Sequence, residues 1–100
     1  MGKMVLLYVP CKNEKEALRI SEKIVSEKLC FCTNIIPKIK SVYKWKGKLV
    51  KNSESLMICK VLIKKKAKAI KEIKELHSYA VPFIGEIKLN SVNKEYLSWV

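Results

Sequence analysis

Two of the chain's four cysteines, Cys30 and Cys32, stand one residue apart in the segment KLCFCTNIIP. Thiolates bind soft metal ions, and Cu(I) would suit this pair best. On a regular strand the two Cα atoms would lie about 6.6 Å apart. Two sulfurs on one zinc ion lie within about 4.6 Å of each other, so chelation by this pair alone requires the strand to bend. Packing as two small apolar side chains is the alternative interpretation.

The other residues that could do chemistry are scattered along the chain. His77 is the only histidine, and a position near a helix C-terminus already explains it through the helix dipole. As a metal ligand or acid–base group it would need partners from elsewhere, such as another subunit. Lys60 interrupts an apolar run, where its ammonium either reaches the end of the sheet or lines a polar pocket. Cys11 and Cys59 form no zinc-type spacing with the cysteine pair.

The sequence contains none of the common catalytic motifs. No Gly-rich phosphate loop, nucleophile elbow or cluster of carboxylates is present among the 100 residues. We therefore expect a protein that is not an enzyme and that requires no cofactor.

Length and charge limit the remaining classes. One domain over residues 1–100 accounts for the whole length. The formal net charge is +12, but the cations are almost all lysine, with one Arg and no Asp. Nucleic-acid readers favour arginine, so a nucleic-acid partner is not expected. No apolar run approaches the ~20 residues of a membrane span. With no secretory signal, we expect a cytoplasmic protein with reduced cysteines and no membrane partner.

The first half of the chain predicts a strand and a helix. Met4–Val9 is an apolar run typical of an inner strand, which Pro10 would end. Asn13 and Glu16 resemble a capping box that opens a helix running to about Leu29. The face of this helix that turns inward is predicted to carry Ala17, Leu18, Ile20, Ile24, Val25 and Leu29.

The second half predicts three more strands and two helices. After an interruption at Pro37, lysine alternates with apolar residues from Ile39 to Lys46, and Gly47 marks a hairpin turn. The remaining predicted elements are an inner strand over Leu56–Ile63, a helix over 64–76 with Ala67, Ile70, Ile73 and Leu76 or His77 facing in, a strand over Phe83–Leu89, and a short helix capped by Asn93.

This order, βαββαβ plus a C-terminal short helix, predicts an α+β protein with the ferredoxin-like split-βαβ arrangement. The second and fourth strands then lie at the edges of one antiparallel sheet. An edge strand as long as Ile39 to Lys46 exposes unpaired backbone groups. Because this edge carries Tyr43 and Trp45, we expect edge-to-edge association between subunits.

An ordered series of motifs extends over nearly the whole chain: CTNIIP, IKSVYKWKGK, ESLMICK, KELHSYAVP and NKEYLSWV. In these motifs the sequence resembles the CutA family of divalent-cation tolerance proteins. The resemblance implies a ferredoxin-like fold assembled as a homotrimer through its long hairpin and sheet edges. It also implies a link to tolerance of copper and other divalent metals, since some members bind copper. The architecture of the family trimer is similar to that of the PII signalling proteins.

Residue by residue, Cys32 matches the usual cysteine of the family, whereas Cys30 falls where alanine is expected. Ser78 and Ala80 replace a common proline and acidic residue beside the histidine, and Lys46 replaces an acidic or amide residue before the hairpin glycine. The positions that match are Asn34, Pro37, Tyr43, Trp45, Gly47, Lys48, Glu54, Lys60, His77, Tyr79 and Pro82.

The resemblance implies three kinds of site. Cys32 and His77 would share a pocket for copper or another divalent metal. Clefts between subunits would be lined by Asn34, Lys60, Tyr79 and Trp45, and the trimer interface would include Tyr43 and Trp45.

The predicted function is therefore divalent metal-ion tolerance, either by metal binding or as a trimeric interaction module with unidentified protein partners. The first alternative is a PII-like signalling trimer that binds a small anionic ligand in a cleft near Lys60. A nucleic-acid binder and an enzyme that uses Lys60 or His77 as an acid–base group are further alternatives.

Overall fold

The computed structural model describes residues 3–100 as an antiparallel sheet with helices. The sheet has four strands in the order β2-β3-β1-β4, so the second and fourth strands lie at its edges, as the sequence predicts. The elements in chain order are β1 (Met4–Cys11), α1 (Glu14–Ser26), β2 (Cys32–Trp45), β3 (Lys48–Leu62), a 3-10 turn (Ile63–Lys65), α2 (Lys66–Leu76), β4 (Gly85–Lys88) and α3 (Lys94–Trp99).

Helices α1 and α2 cover one face of the sheet, which we call the covered face. Paired residues of β1 and β3 point to this face together, for example Leu7 and Cys59. They pack with α1 and α2 side chains to form the core, which consists of Val5, Leu7, Val9, Cys11, Ala17, Ile20, Ile24, Cys30, Met57, Cys59, Val61, Ala69 and Ile73. Alternation along each strand sends the intervening residues to the other, open face.

The sequence correctly locates the start of α1 but not its end. The Asn13 side chain accepts a hydrogen bond from the Glu16 amide at 2.9 Å, which caps the helix. The helix ends at Ser26 rather than near Leu29 because Lys28 adopts a positive φ of 61°. Leu18 and Val25, which we expected to face inward, are exposed.

Pro10 does not end the first strand, contrary to the sequence expectation, because β1 continues to Cys11. Pro10 pairs with Leu56 of β3, while β4 pairs only with residues 5–8 of β1. A proline has no amide proton to donate to a strand ladder. Beyond Tyr8, no strand among residues 3–100 pairs with this side of β1, so the missing donor breaks no ladder hydrogen bond there.

Strands β2 and β3 form a hairpin much longer than the sequence predicts. The interruption expected at Pro37 is a register shift between Ile36 and Ile39, and both strands continue past it. The polar segment of residues 51–55, which precedes the inner strand predicted over Leu56–Ile63, also lies inside β3. We call residues 39–54 the outer ribbon. Its two-residue turn has positive φ at Lys46 and Gly47, the geometry of a type I′ hairpin.

The last elements also differ in detail from the expectation. Ala69 rather than Ala67 faces the core from α2, together with Ile73. Strand β4 is shorter than expected and excludes Phe83, which is 62% exposed. Asn93 occupies the N-cap position of α3 without a side-chain hydrogen bond. Among the helices of residues 3–100, none has the length and hydropathy that crossing a bilayer requires.

Candidate functional site

His77 follows directly after α2, and its ring is buried against the end of β1. The Nε2 atom lies 2.9 Å from the carbonyl oxygen of Pro10, and Nδ1 accepts a hydrogen bond from the Tyr79 amide at 3.1 Å. Since the carbonyl can only accept and the amide can only donate, the ring is neutral and carries its proton on Nε2. Both ring nitrogens are therefore engaged within the chain.

Glu16 is a second buried polar residue of this region, and it joins the two helices. Its carboxylate accepts hydrogen bonds from the Lys12 amide at 2.8 Å and from the Ser78 amide at 2.7 Å. Burial by itself raises the pKa of this carboxyl, but the hydrogen bonds from Ser78 and Lys12 outweigh burial and lower the pKa. A proline at position 78 could not donate this bond, so the bond requires a residue other than proline there.

Cys11 completes a buried cluster with Glu16 and His77. One ligand atom from each of the three residues lies within 4.8 Å of the others, the one such group in the described part of the chain. The Cys11 thiol donates to the Val9 carbonyl at 3.6 Å. Burial, followed by the charges of Glu16 and Glu54, raises the pKa of this thiol to about 12. We call these three residues the His77 cluster.

The sequence does not predict this cluster, because it ends the first strand at Pro10, before Cys11, and gives Glu16 a role only in a helix cap. The capping signal at Glu16 was present in the sequence, and its Oε1 does reach back to the Lys12 amide. No local pattern, however, shows that β1 and the residue after α2 meet in space.

The outer ribbon and the segment after α2 enclose a cleft of about 820 Å³ next to the His77 cluster. Two predicted cleft residues, Trp45 and Tyr79, line it together with Tyr43 and Glu54. The Tyr79 hydroxyl donates to Glu54 at 2.7 Å, and Ser41 donates to the other oxygen of that carboxylate. Burial, followed by the bond to Glu54, raises the pKa of Tyr79.

Lys60 and Asn34, the other two predicted cleft residues, lie elsewhere, on the open face. Lys60 lies opposite Cys32 in the β2–β3 pairing, and Asn34 lies opposite Ile58. The Lys60 ammonium donates to the Tyr96 hydroxyl at 3.3 Å and lies 5.0 Å from the centre of that ring.

Cys32 and His77 do not meet within one chain. Cys32 pairs with Lys60 and Lys60 with Leu6, whereas His77 contacts Pro10, four residues farther along β1. Four residues of strand extend about 13 Å, and the two strand spacings between β2 and β1 add about 10 Å across the sheet. A site that joins Cys32 to His77 therefore requires residues from two chains.

The Cys30–Cys32 pair also separates, although its members are neighbours in sequence. The half-buried Cys32 thiol lies 3.7 Å from the Thr33 carbonyl, while Cys30 turns into the core. A hydrogen bond from the Cys59 thiol lowers the pKa of Cys30, and the same contact raises that of Cys59. All four cysteines of the chain are free thiols.

The fold and this buried cluster define a small α+β protein with a four-stranded antiparallel sheet and a long projecting hairpin. The family model of the CutA1 divalent ion tolerance protein matches residues 5–100. The chain therefore belongs to the CutA family, as its motifs indicate.

Relatives of the chain agree with this assignment. The divalent-cation tolerance protein CutA of Thermus thermophilus is 36% identical and is matched over 100% of this chain and 95% of its own. A crystal structure of CutA1 from Ehrlichia chaffeensis has a TM-score of 0.95 at 32% identity, covering 100% of this chain and 94% of that one. The structure of the periplasmic divalent cation tolerance protein CutA from Archaeoglobus fulgidus has a TM-score of 0.91 at 35% identity, covering 96% and 93%.

Some animal relatives are longer than this chain. The human protein CutA is 34% identical over 99% of this chain, but that match spans only 55% of the human protein.

Proposed function

We propose that this protein acts in divalent-cation tolerance by binding a divalent metal ion, with copper as a candidate, at the His77 cluster. The observation that carries the proposal is that a thiol, a carboxylate and an imidazole place ligand atoms within 4.8 Å of one another. Relatives of the chain are named divalent-cation tolerance proteins. Mixed sulfur, nitrogen and oxygen donors suit borderline divalent ions such as zinc and copper.

Metal binding at this cluster requires specific changes in protonation and hydrogen bonding. Each Glu16 oxygen can keep its backbone hydrogen bond and still present a second lone pair. His77 must give up one of its two hydrogen bonds, since neither ring nitrogen has a free lone pair. Cys11 must lose a proton against a pKa of about 12. Metal binding is therefore expected to release protons and to strengthen as the pH rises.

Calorimetric titration of the reduced protein with Zn(II) and with Cu(II) tests this proposal. Cys11→Ala and His77→Gln are expected to weaken binding at least about tenfold, or 1.4 kcal/mol. Cys32→Ala is the matched control because it removes a thiol that lies outside the cluster. Unchanged affinity in Cys11→Ala, or loss of affinity in Cys32→Ala alone, would contradict the assignment.

We further propose that the fold is of the ferredoxin-like type and that it assembles as a homotrimer. Two features support association. The open face carries apolar side chains that no α1 or α2 residue covers, such as Ile36 and Ile87, and the outer ribbon exposes Trp45 and Leu49. Exposed apolar patches of this kind mark association surfaces. Sedimentation equilibrium at micromolar concentration should give three times the 11.5 kDa mass of the chain, and a monomer would refute the trimer.

We also propose a cytoplasmic location and a non-enzymatic role. The four free thiols suit a reducing compartment. Both ring nitrogens of His77 are hydrogen-bonded within the chain, and the Lys60 ammonium donates to Tyr96, so an acid–base role would require either residue to give up such a contact. The same contact of Lys60 leaves the anion-binding alternative without a supporting observation.

A further inference from the structure

The cleft between the outer ribbon and the segment after α2 combines aromatic side chains with one carboxylate. Four rings line it, those of Tyr43, Trp45, Tyr79 and Phe83. Among the residues that line it within 3–100, Glu54 is the one with a charged side chain. Its volume of about 820 Å³ falls within the range of small-molecule sites, roughly 300–1,000 Å³.

The carboxylate of Glu54 has no cationic partner in a chain that is rich in cations. The sequence contains 21 Lys and Arg residues. Within residues 3–100, none of them lines the cleft or forms an ion pair with Glu54. Neutral donors hold the half-buried carboxylate instead, namely the hydroxyls of Tyr79 and Ser41. Each carboxylate oxygen accepts one of these bonds and keeps a second lone pair for a ligand.

The aromatic rings can supply the rest of a cation site. A cation within about 6 Å of a ring centre is attracted to the face of the ring. The Lys46 ammonium, at the hairpin turn, lies 5.8 Å from the centre of the Trp45 ring, so a cation can reach this ring.

The position of the Phe83 ring is fixed by two neighbours. Its centre lies 6.1 Å from that of Tyr8 in an edge-to-face arrangement. On its other contact, a Cβ atom at Gly85 would come within 2.7 Å of the ring, so a larger residue at position 85 would displace it. The ring is therefore held at the cleft although it is 62% exposed.

We propose that this cleft binds a small, water-soluble organic cation with a methylated ammonium group, placed against Glu54 and the aromatic rings. Aromatic sites are well suited to such ions, whose methyl groups also fit apolar lining residues such as Val50 and Val81. A neutral ligand would leave the charge of Glu54 without a counter-ion, and an anion would be repelled by it.

This proposal is independent of the metal site proposed at the His77 cluster. Cys11, Glu16 and His77 do not line the cleft, and the organic cation needs no metal ion. Measurements in the presence of the chelator EDTA therefore separate the two proposals.

Calorimetric titration of the full chain with tetramethylammonium, and in parallel with tert-butanol, tests the proposal. The two probes are similar in size and shape, but only the first carries a charge. Tetramethylammonium should bind at least about tenfold more tightly. In proton NMR its methyl signal should move upfield on binding, because the methyl groups then lie over ring faces.

The contribution of the carboxylate is tested by Glu54→Gln, which removes the charge and keeps the shape of the side chain. Ser41 can accept a hydrogen bond from the new amide, so both neighbours of the side chain stay hydrogen-bonded. Affinity for tetramethylammonium should fall at least about tenfold. Glu22→Gln is the matched control, because it removes the same charge at an exposed position in α1, outside the cleft.

A second variant covers a folding failure of Glu54→Gln. Phe83→Leu keeps an apolar side chain but removes a ring, so it should weaken binding of tetramethylammonium about threefold and leave that of tert-butanol unchanged. Neither variant alters Trp45, and sedimentation of each variant checks that assembly is unchanged.

Four outcomes would overturn the proposal. They are equal affinity for the two probes, no saturable binding of tetramethylammonium, equal weakening by Glu54→Gln and Glu22→Gln, and loss of binding on addition of EDTA. Phosphatidylcholine headgroups carry the same methylated ammonium group, so vesicles of this lipid form a separate arm. The protein should not sediment with them, and cosedimentation that Glu54→Gln abolishes would overturn the assignment to a water-soluble ligand.

Discussion

The two faces of the single sheet have opposite relations to solvent. On the covered face, side chains such as Leu7 and Met57 are fully buried against α1 and α2. On the open face, Ile36 and Ile87 are 45% and 44% exposed, although their strands, β2 and β4, pair directly with the strands of Met57 and Leu7. Both faces carry apolar side chains, but α1 and α2 bury only those on the covered face. The difference indicates that the covered face stabilises the protomer, and it leaves the open face as the surface of the proposed association.

Replacement of one apolar residue on each face tests this comparison most directly. Leu7→Ala removes a fully buried side chain from the covered face and should lower the free energy of unfolding by about 3–4 kcal/mol. Ile87→Ala, on the open face, should cost less than about 1 kcal/mol in the isolated protomer but weaken association. Urea unfolding at several protein concentrations separates the two effects. Equal costs at low concentration would contradict the comparison.

A substitution of Glu16 tests the buried hydrogen bonds on the side of the sheet that α1 and α2 cover. Glu16→Ala leaves two backbone amides, of Lys12 and Ser78, without their acceptor, and should lower the free energy of unfolding by about 2–4 kcal/mol. Glu14→Ala, at an exposed position two residues earlier in α1, is the control.

The same residue predicts a pH dependence. Because the folded pKa of Glu16 is lowered below 4.5, its stabilisation is complete above that pH and is lost as the pH falls through the folded pKa. Urea unfolding between pH 6 and pH 3 should show a smaller loss of stability in Glu16→Ala than in the unmodified protein. Parallel curves for the two proteins would contradict this assignment.

In the outer ribbon, a substitution should weaken assembly and leave the stability of the protomer nearly unchanged, the opposite of a substitution on the covered face. Trp45→Ala removes an aromatic side chain that is 63% exposed in the protomer. If the ribbon associates with other subunits, each lost contact should weaken assembly by about 2 kcal/mol. Protomer unfolding should barely change. Lys44→Ala, the neighbouring exposed residue, is the control, and a trimer of unchanged stability in Trp45→Ala would remove the ribbon from the interface.

The smallest expected effect on stability is at Tyr79, which lies between the His77 cluster and the outer ribbon. Tyr79→Phe removes the hydrogen bond to Glu54 and should lower the free energy of unfolding by about 1–2 kcal/mol. Because the folded pKa of Tyr79 is raised above 10.0, this contribution is full below pH 10 and is lost as the pH rises further. Unfolding at pH 8 and pH 11 measures this change. Tyr43→Phe, which loses a more exposed hydrogen bond, should cost less.

Local features of the fold were well predicted from the sequence. The capping pattern of Asn13 and Glu16 depends on residues three apart, and the structure confirms it. The order of strands followed from the alternation of apolar patterns along the chain. The prediction failed where a residue's neighbours come from distant segments: Pro10 remains in a strand because β4 is short, and the polar residues 51–53 remain in β3 because the outer ribbon is exposed.

The candidate sites show the same difference between local features, which were predicted, and contacts between distant segments, which were not. The sequence singled out His77 and Tyr79, but Cys11 and Glu16 join His77 only because β1 ends beside the residue that follows α2. It also raised Cys30 and Cys32 as a possible pair, whereas Cys30 is buried in the core and Cys32 is half-buried on the open face. Cys32 and His77, linked by the family resemblance, lie far apart within one chain.

The sequence by itself determined the family, the element order and the residue types available for metal binding, because motifs and hydrophobic periodicity are local properties of the chain. Only the tertiary structure decided which thiol lies beside which partner. The physical reason is that strand register and helix packing bring together residues from distant segments, and a shift of one residue turns a side chain to the opposite face of the sheet.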